Sequence, residues 1–271
     1  MTVRLAFVTD LHHGSDDETR RGSEALDSLA RFKAFVAYEM PDAAVDLGDR
    51  ITGEGDDDAA RAAEVAALFA RLKRPVHHIC GNHDVKNLSV ADNEAILGQS
   101  LAHQCADYGG WRLVLFRARA RRRKGLFRLK DGDLDFLADT VRHADRPLVV
   151  ASHIPLTGQS VAENVYFAKK PERAHYQEAA ALRSVLLGAK VPLVAISGHV
   201  HWNSLAFVSG QPHITLQSAT DSSATHPVGA GAHAMLTLTD ETIYWRVYGE
   251  SPFAAEVSVQ SAGRRWWTPG E

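Results

Sequence analysis

Five short motifs carry the side chains of this 271-residue sequence that could do chemistry. They supply Asp, Asn and His and contain no Cys. In chain order they are Asp10-Leu11-His12, Gly48-Asp49, Gly81-Asn82-His83-Asp84, Ser152-His153 and Gly198-His199-Val200-His201. Oxygen and nitrogen donors without a thiolate suit divalent or trivalent metal ions. Two such ions held close together can activate a water molecule and clamp a phosphoryl group.

The spacing inside the first two motifs indicates side chains that share one site. Asp10 and His12 alternate along the chain, so at the end of a strand both leave on the same side and can hold one ion together. Gly48 allows a sharp turn that points Asp49 inward. Because a single carboxylate can bridge two cations, Asp49 is our candidate for that bridge.

The later motifs add to the same donor set. Gly81 allows a turn before Asn82, whose amide can offer a carbonyl oxygen to a metal. His199 and His201 alternate as the first pair does, so each can serve a different ion.

Elements that must position these motifs are visible as short apolar runs. Each motif follows or ends one such run, as expected for buried strands. The predicted strands are residues 3–9, 43–47, 76–80, 112–116, 147–152 and 192–197, and the predicted helices between them are 24–40, 58–72, 133–143 and 174–188. The alternation favours a parallel or mixed sheet covered by helices. Because side chains at the carboxyl ends of such strands converge on one crevice, the motifs predict one site.

The C-terminal third changes character. Antiparallel strands are predicted at 205–209, 213–217, 233–239 and 242–248, with a hairpin turn over 239–242. Near the end stand Trp266 and Trp267. Because adjacent tryptophans usually bury part of their surface, this tail is expected to pack on the body or on a partner, with a loosely ordered end as the alternative.

Composition excludes several classes of protein. The formal net charge of −3 argues against a general nucleic-acid or membrane binder, and two cysteines make no disulfide framework. No signal peptide or membrane-spanning stretch is visible, so we expect a cytoplasmic protein. The basic run from Arg117 to Lys124 has no interleaved aromatic residues. A solvated loop or hairpin arm is therefore favoured there over a nucleic-acid site.

The order and spacing of the five motifs resemble the calcineurin-like metallophosphoesterase superfamily. The resemblance spans roughly residues 3–250. It implies an α/β fold, a four-layer α/β/β/α sandwich of two mixed β-sheets flanked by helices. We expect one metallophosphoesterase domain over residues 1–255 and a C-terminal tail over 256–271.

The resemblance also implies how the ligands are shared between two divalent or trivalent ions of Mn, Fe or Zn. One ion would take Asp10, His12, Asp49 and His201, and the other would take Asp49, Asn82, His153 and His199. No expected ligand is missing from the sequence.

The same resemblance implies roles in catalysis and substrate binding for residues of the Gly81–Asp84 motif. The family histidine that does not bind metal corresponds to His83, which would hydrogen-bond the phosphate or protonate the leaving oxygen, with Asp84 as its orienting partner. Asn82 and His83 would contact substrate. Arg50 is a further candidate contact, with a salt bridge to the acidic stretch 54–58 as the alternative. Tyr166 could stack on a base or aryl group, or pack in the core.

The activity expected from these features is hydrolysis of small-molecule phosphodiesters by a metal-bridging hydroxide. Gly48-Asp49-Arg50-Ile51 departs from the Val-Asp-Arg-Gly continuation of the family's protein phosphatases, and the Gly-Asn-His-Asp form looks more like its bacterial phosphodiesterase branch. A phosphomonoesterase is the runner-up, ahead of a nuclease and an inactive scaffold. The expected partner is a small phosphoester. A membrane is not expected, nucleic acid is disfavoured, and a homodimer is left open.

Overall fold

Two six-stranded β-sheets packed face to face form the centre of the molecule, with helices on both outer faces. The computed structural model describes residues 1–118, 122–123 and 126–267. Both sheets contain parallel and antiparallel pairs. The structure therefore confirms the expected α/β/β/α sandwich of two mixed sheets.

The described strands are numbered in chain order: β1 Val3–Val8, β2 Ala43–Asp46, β3 Val76–His78, β4 Gln104–Tyr108, β5 Trp111–Leu115, β6 Arg122–Arg123, β7 Leu126–Phe127, β8 Leu148–Ser152, β9 Leu193–Ser197, β10 Ser204–Val208, β11 Gln211–Thr215, β12 His233–Leu238, β13 Thr242–Tyr248 and β14 Phe253–Ser258. The α-helices are α1 Ala25–Glu39, α2 Asp58–Phe69, α3 Val90–Leu97, α4 Asp133–Arg142, α5 Ala179–Leu187 and α6 Val259–Ala262.

The first sheet has the order β14-β13-β12-β1-β2-β3. Strands β1, β2 and β3 run parallel, so their carboxyl ends meet at one edge. The antiparallel strands β12, β13 and β14 complete the sheet on the other side of β1. The predicted hairpin joins β12 to β13, where Thr239 N donates to Thr242 O over 2.9 Å.

The second sheet has the order β10-β11-β9-β8-β5-β4. Its central strands β5, β8, β9 and β11 are parallel, whereas the two edge strands β4 and β10 are antiparallel to their neighbours. Strand β11 therefore pairs with β10 as the sequence predicted and also extends the parallel part of the sheet.

The core divides into three apolar layers that hold the sandwich together. Side chains of both sheets, such as Leu5 and Val149, interdigitate between the sheets. Helices α1 and α2 cover the outer face of the first sheet, and α4 and α5 cover that of the second. Burial of these apolar faces fixes each parallel strand, so the strand ends present their motif residues from a rigid frame.

Helix α5 begins later than the sequence predicted. Residues 174–178 are not helical and follow a 3₁₀ turn at 171–173, and Gln177 N donates to Phe127 O over 3.0 Å. This contact holds the chain alongside β7, so helical hydrogen bonding starts only at Ala179. Elements that the sequence did not predict are α3, β4, β14 and α6.

The C-terminal region differs from expectation in two respects. Residue 255 falls inside β14, so the first sheet continues to Ser258, past the boundary drawn from the sequence. Trp266 and Trp267 are 62% and 79% exposed, so neither is buried against the body of the described chain, and packing on a partner stays a prediction. The backbone of the tail nevertheless contacts the turn between β10 and β11, because Trp266 N donates to Ser209 O over 3.3 Å.

The basic run forms part of a hairpin, since β6 pairs with β7. Residues 119–121 and 124 of the run lie outside the described residues. Arg117 is buried instead of solvated, and its Nε donates to His78 O over 2.7 Å. Among the described helices, none combines the length and apolar character needed to cross a membrane.

Candidate metal centre

The motif residues at the strand ends share an unusual backbone conformation. Among the described residues, seven non-glycine residues have positive φ, and five of them are motif residues. These are Asp10, His12, Asp49, His199 and His201, with φ between 46° and 69°. Such conformations cost about 1–3 kcal/mol each and concentrate at functional sites, where the surrounding fold holds them in place.

Two glycines of the motifs are required for different reasons. Gly48 has φ of 103°, which provides the sharp turn before Asp49. At Gly81 the reason is close approach, because a Cβ there would lie 2.0 Å from Asp49 Oδ1. His83 N donates to the same oxygen over 2.7 Å, so any side chain at Gly81 would displace the Asp49 carboxylate.

Three groups of metal-ligating side chains lie at this edge of the sandwich. Within each group the ligand atoms lie within 4.8 Å of one another. The groups are Asp10, His12 and His201; His12, Asp49 and His83; and Asp49, His153 and His199. Because Asp49 and His12 are shared, the three groups form one continuous cluster with Asp49 at its centre.

Several buried polar atoms of this cluster and of the neighbouring Asn82 have no hydrogen-bond partner among the described residues. They are Asp10 Oδ1, Asn82 Oδ1 and His153 Nε2. An unsatisfied buried polar group costs about 1–3 kcal/mol, so three in one place call for an additional ligand. All three are atoms that coordinate hard or borderline cations, and they fit the expected pair of metal ions.

Three of the histidines have one ring nitrogen fixed by an acceptor. His153 Nδ1 donates to Leu47 O over 2.9 Å, and His199 Nε2 donates to Arg173 O over 2.9 Å. His201 Nδ1 lies 3.1 Å from Asp221 Oδ2. This arrangement leaves His153 Nε2, His199 Nδ1 and His201 Nε2 as the metal-facing atoms, which is the usual state of a metal-binding histidine.

Burial and neighbouring charges set the protonation of the metal-free cluster. Burial alone would raise the pKa of Asp10 and Asp49, but the adjacent His201 and His153 hold both pKa values well below the usual range. Burial lowers the pKa of His12 to about 4 and that of His199 to about 3. These four side chains therefore already have the charge state that a metal ligand needs.

The other two histidines behave differently. Burial again lowers their pKa, but nearby carboxylates outweigh it. Asp49 raises the pKa of His153 to about 9, and Asp10 with Asp221 raises that of His201 to about 10. Both imidazoles must lose a proton when they bind a metal ion.

His83 faces the cluster, but the residue that orients it is not the one expected. Its Nδ1 donates to Thr52 O over 2.5 Å, which leaves Nε2 available at the site. The Asp84 carboxylate instead accepts the backbone N–H groups of Asp49, Arg50 and Gly81 at 2.8–2.9 Å. Asp84 therefore holds the turn that carries Asp49, and Thr52 takes the orienting role.

Arg50 points away from the cluster. Its side chain is 1% exposed, and it pairs with Asp46 at 2.7 Å and Asp84 at 3.2 Å. Arg50 is therefore not positioned for the expected substrate contact, and it does not form the alternative salt bridge to residues 54–58. Consecutive side chains around the left-handed Asp49 leave in different directions, so Arg50 enters the core while Asp49 enters the site.

An open cavity of about 800 Å³ adjoins the cluster. His12, Asp49, Asn82, His83, His199 and His201 line one wall. Tyr166, which is 51% exposed, also lines the cavity, as do Trp202 and Phe253. The location supports the stacking alternative for Tyr166 over the core alternative.

Two charged residues of the cavity were not predicted from the sequence. Arg20 is the one Arg or Lys among the described cavity-lining residues, and its Nη1 lies 3.4 Å from His12 Nδ1. Asp221 accepts from His201. The two contacts join residues that are 8 and 20 positions apart in sequence. Neither residue stands in a recognisable motif.

Comparison with known proteins agrees with this geometry. The sequence model described as calcineurin-like phosphoesterase matches residues 3–203, most of the chain. The chain belongs to the calcineurin-like phosphoesterase family. Membership implies a metal-dependent phosphoric ester hydrolase. A sequence search among curated proteins finds no match.

Solved structures show the same fold as this calcineurin-like phosphoesterase. A dimetal phosphatase from Danio rerio superposes with a TM-score of 0.78 at 16% identity, covering 95% of this chain and 99% of that one. A purple acid phosphatase from yellow lupin gives 0.69 at 12% identity, covering 98% of this chain and 56% of that one. At these identities the similarity establishes the fold.

The family match ends within the second sheet. Residues 204–267 of this calcineurin-like phosphoesterase supply β10 to β14 and include Gln217, Asp221 and Phe253 of the cavity. The matched residues 3–203 therefore contain all the motif residues, whereas residues beyond the match supply part of the cavity wall.

Proposed function

We propose that the chain hydrolyses small-molecule phosphodiesters, using two metal ions held as the family resemblance implies. One ion is held by Asp10, His12, Asp49 and His201, and the other by Asp49, Asn82, His153 and His199. The observation that carries the proposal is the set of buried donor atoms that have no hydrogen-bond partner among the described residues, beside an open cavity that the cluster helps to line. When bound, the ion pair supplies Lewis acidity to the phosphoryl group and lowers the pKa of water.

The remaining chemistry falls to side chains that face the cavity. His83, with Nδ1 donating to Thr52, presents Nε2 where it can hydrogen-bond the phosphate or protonate the leaving oxygen. Asn82 Oδ1 has no partner among the described residues, which supports its role as a ligand. Tyr166 offers an exposed ring for an aryl or base substituent.

Arg20 replaces Arg50 as the proposed guanidinium contact with substrate. Its Nε and Nη2 pair with Asp17, which fixes the plane of the group and leaves Nη1 toward the cavity. A metal ion on His12 Nε2 requires a hydrogen on His12 Nδ1, so Nδ1 then cannot accept from Arg20 Nη1. The N–H groups of Nη1 are then available to an anionic oxygen of the substrate.

The preference for diesters rests on the size and charge of the cavity. A volume of about 800 Å³ has room for substituents on both sides of a phosphate. Besides Arg20, the lining outside the motif residues carries the acidic Asp17, Glu163 and Asp221. A monoanionic diester is repelled less by these carboxylates than a dianionic monoester.

A phosphomonoesterase is the second candidate, and Arg20 is the observation that favours it. The guanidinium stabilises a dianionic monoester more than a monoanionic diester, which opposes the effect of the acidic lining residues. The two candidates differ in which substrate has the higher kcat/KM.

The test is a substrate panel with the Mn²⁺-supplemented protein. It compares aryl monoesters and diesters, cyclic nucleotides, nucleotide pyrophosphates and glycerophosphodiesters, with chelator-treated protein as the blank. We expect a diester to give the highest kcat/KM. A monoester preference would support the second candidate, and no hydrolysis with Mn²⁺, Fe²⁺ or Zn²⁺ would contradict both.

The Arg20 contact has its own matched pair of variants. Arg20→Gln should raise KM about tenfold or more, the equivalent of one charge-assisted hydrogen bond, without changing metal content. Arg21→Gln is the control, because its Nε donates to Pro227 O and it does not line the cavity. Equal KM values for the two variants would remove Arg20 from the substrate site.

A further inference from the structure

A buried polar segment beyond the family match contacts two residues of the candidate metal centre. Residues 217–223, here called the latch segment, follow β11 and lie outside the matched residues 3–203. Its Ser218, Thr220 and Asp221 are at most 4% exposed. Burying polar side chains is unfavourable unless they make specific contacts, so the partners of this segment indicate what it does.

The first set of contacts holds the backbone of Asp10. Ser218 Oγ donates to Asp10 O over 2.7 Å, and Thr220 Oγ1 reaches the same oxygen at 3.4 Å. Ala219 N donates to Thr9 O over 3.2 Å. Asp10 has φ of 53°, so the latch segment binds the backbone where it is strained.

The second set of contacts orients His201. Asp221 Oδ2 lies 3.1 Å from His201 Nδ1, and Asp221 Oδ1 accepts Ser223 N over 2.8 Å. Asp221 N in turn donates to Ser218 Oγ over 3.0 Å. Because an ionised carboxylate can only accept, Nδ1 carries a hydrogen, and Nε2, 3.3 Å from Asp10 Oδ1, is the atom that would bind the ion after losing its proton.

The two sets of contacts hold residues of the same group of ligand atoms. Asp10 and His201 belong, with His12, to one of the three groups, whereas Asp49, His153 and His199 form another. We propose that Asp221 and Ser218 are positioning residues for the ion held by Asp10, His12 and His201, and that they tune its affinity separately from that of the second ion. The inference rests on the proposed two-metal function.

The experiment titrates Mn²⁺ into chelator-treated protein by calorimetry. Wild type should bind two ions. Asp221→Ala should weaken one of them by about 10–100-fold and leave the other unchanged, the usual effect of removing the partner of a ligating histidine. Asp221→Asn should restore part of the affinity, because its amide oxygen can still accept from His201. Asp139→Ala removes an exposed carboxylate of α4 and should match wild type.

Ser218→Ala provides a second route if Asp221→Ala does not fold by near-ultraviolet circular dichroism. It should weaken the same ion by a smaller factor, because it removes the hydroxyl that contacts Asp10 O and Asp221 N. Unchanged binding of both ions, or equal weakening of both, would overturn the inference. A wild-type protein that binds no Mn²⁺, Fe²⁺ or Zn²⁺ would instead contradict the proposed function itself.

Discussion

The molecule contains two buried polar clusters, and the adjacent residues Asp49 and Arg50 belong to different ones. The metal-candidate cluster contains Asp10, His12, Asp49, His153, His199 and His201, and the structural network contains Asp46, Arg50, His78, Asp84 and Asn93. Members of both are buried except His201, which is partly exposed. Their chemical composition is similar, since both combine carboxylates with imidazoles.

The clusters differ in how completely their hydrogen bonds are made. In the structural network, Arg50 donates to Asp46, Asn93 and Ile79 O at 2.7–3.1 Å, and His78 Nδ1 lies 2.8 Å from Asp46. None of its buried side-chain nitrogen or oxygen atoms lacks a partner, and none of its members has positive φ. The metal-candidate cluster has both unsatisfied atoms and strained backbone.

The comparison teaches that residue type and burial do not separate a structural ion network from a binding site. Satisfied buried charges stabilise one packing of the chain, whereas unsatisfied donor atoms held on strained backbone are arranged for a ligand. Substitutions in the metal-candidate cluster should therefore reduce metal binding and turnover, whereas substitutions in the structural network should reduce stability.

Asp49→Ala should have the largest effect. It removes the carboxylate shared by two groups of ligand atoms, so both ions should be lost and kcat should fall by about 10,000-fold or more. Metal content and turnover measure this directly. Retention of two ions per chain would contradict the central position of Asp49.

His83→Ala should reduce kcat by about 100- to 10,000-fold while both ions stay bound, because a proton donor is lost and no ligand is removed. The loss should be greatest for substrates with poor leaving groups. His143→Ala, in which an exposed histidine of the α4 C-terminus is removed, is the control. Since His83 also lies in a group with His12 and Asp49, loss of metal would identify it as a ligand instead.

Arg50→Ala should act on stability. It leaves Asp46 and Asp84 buried without their cation, which costs about 3–5 kcal/mol in the free energy of unfolding. Arg142→Ala breaks an exposed pair with Asp139 and should cost at most about 1 kcal/mol. Urea unfolding of chelator-treated protein compares the two. Equal costs would show that the network is not a stabilising element.

The effect expected when conditions change and no residue is altered is a pH dependence of metal affinity. His153 and His201 have pKa values raised to about 9 and about 10 in the metal-free protein, so each must release a proton at neutral pH. Affinity should therefore rise with pH and fall as pH drops, by about tenfold per unit for each proton released. A titration of Mn²⁺ at pH 6, 7 and 8 measures the slope, and a flat profile would contradict these protonation states.

The sequence predicted the metal-candidate residues because their signals are local. Each motif follows an apolar run, and the ends of parallel strands meet at one edge whatever the loops do. The central strands were predicted for the same reason. Strand β4 was missed because it is a largely exposed edge strand without an apolar run. Helix α3 was missed because it is short and its apolar residues do not lie on one face, although the capping box of Ser89 and Asp92 was a usable signal.

Roles that depend on distant contacts could not be predicted. Arg50 and Asp84 are adjacent in sequence to site residues, but Arg50 turns into the structural network and Asp84 accepts the backbone N–H of Asp49 and pairs with Arg50. Thr52 acts through a backbone carbonyl, which leaves no trace in residue type. Asp221 contacts His201 although it follows it by 20 residues in sequence and stands outside the motifs, so only the fold reveals the contact.

Elemental analysis of the purified protein tests the central claim most directly. After exposure to Mn²⁺, Fe²⁺ or Zn²⁺ and removal of excess metal, about two ions should remain on each chain, and Asp49→Ala treated in parallel should retain none. A wild-type protein that holds no metal under any of these conditions would contradict the assignment of the unsatisfied cluster as a two-metal site.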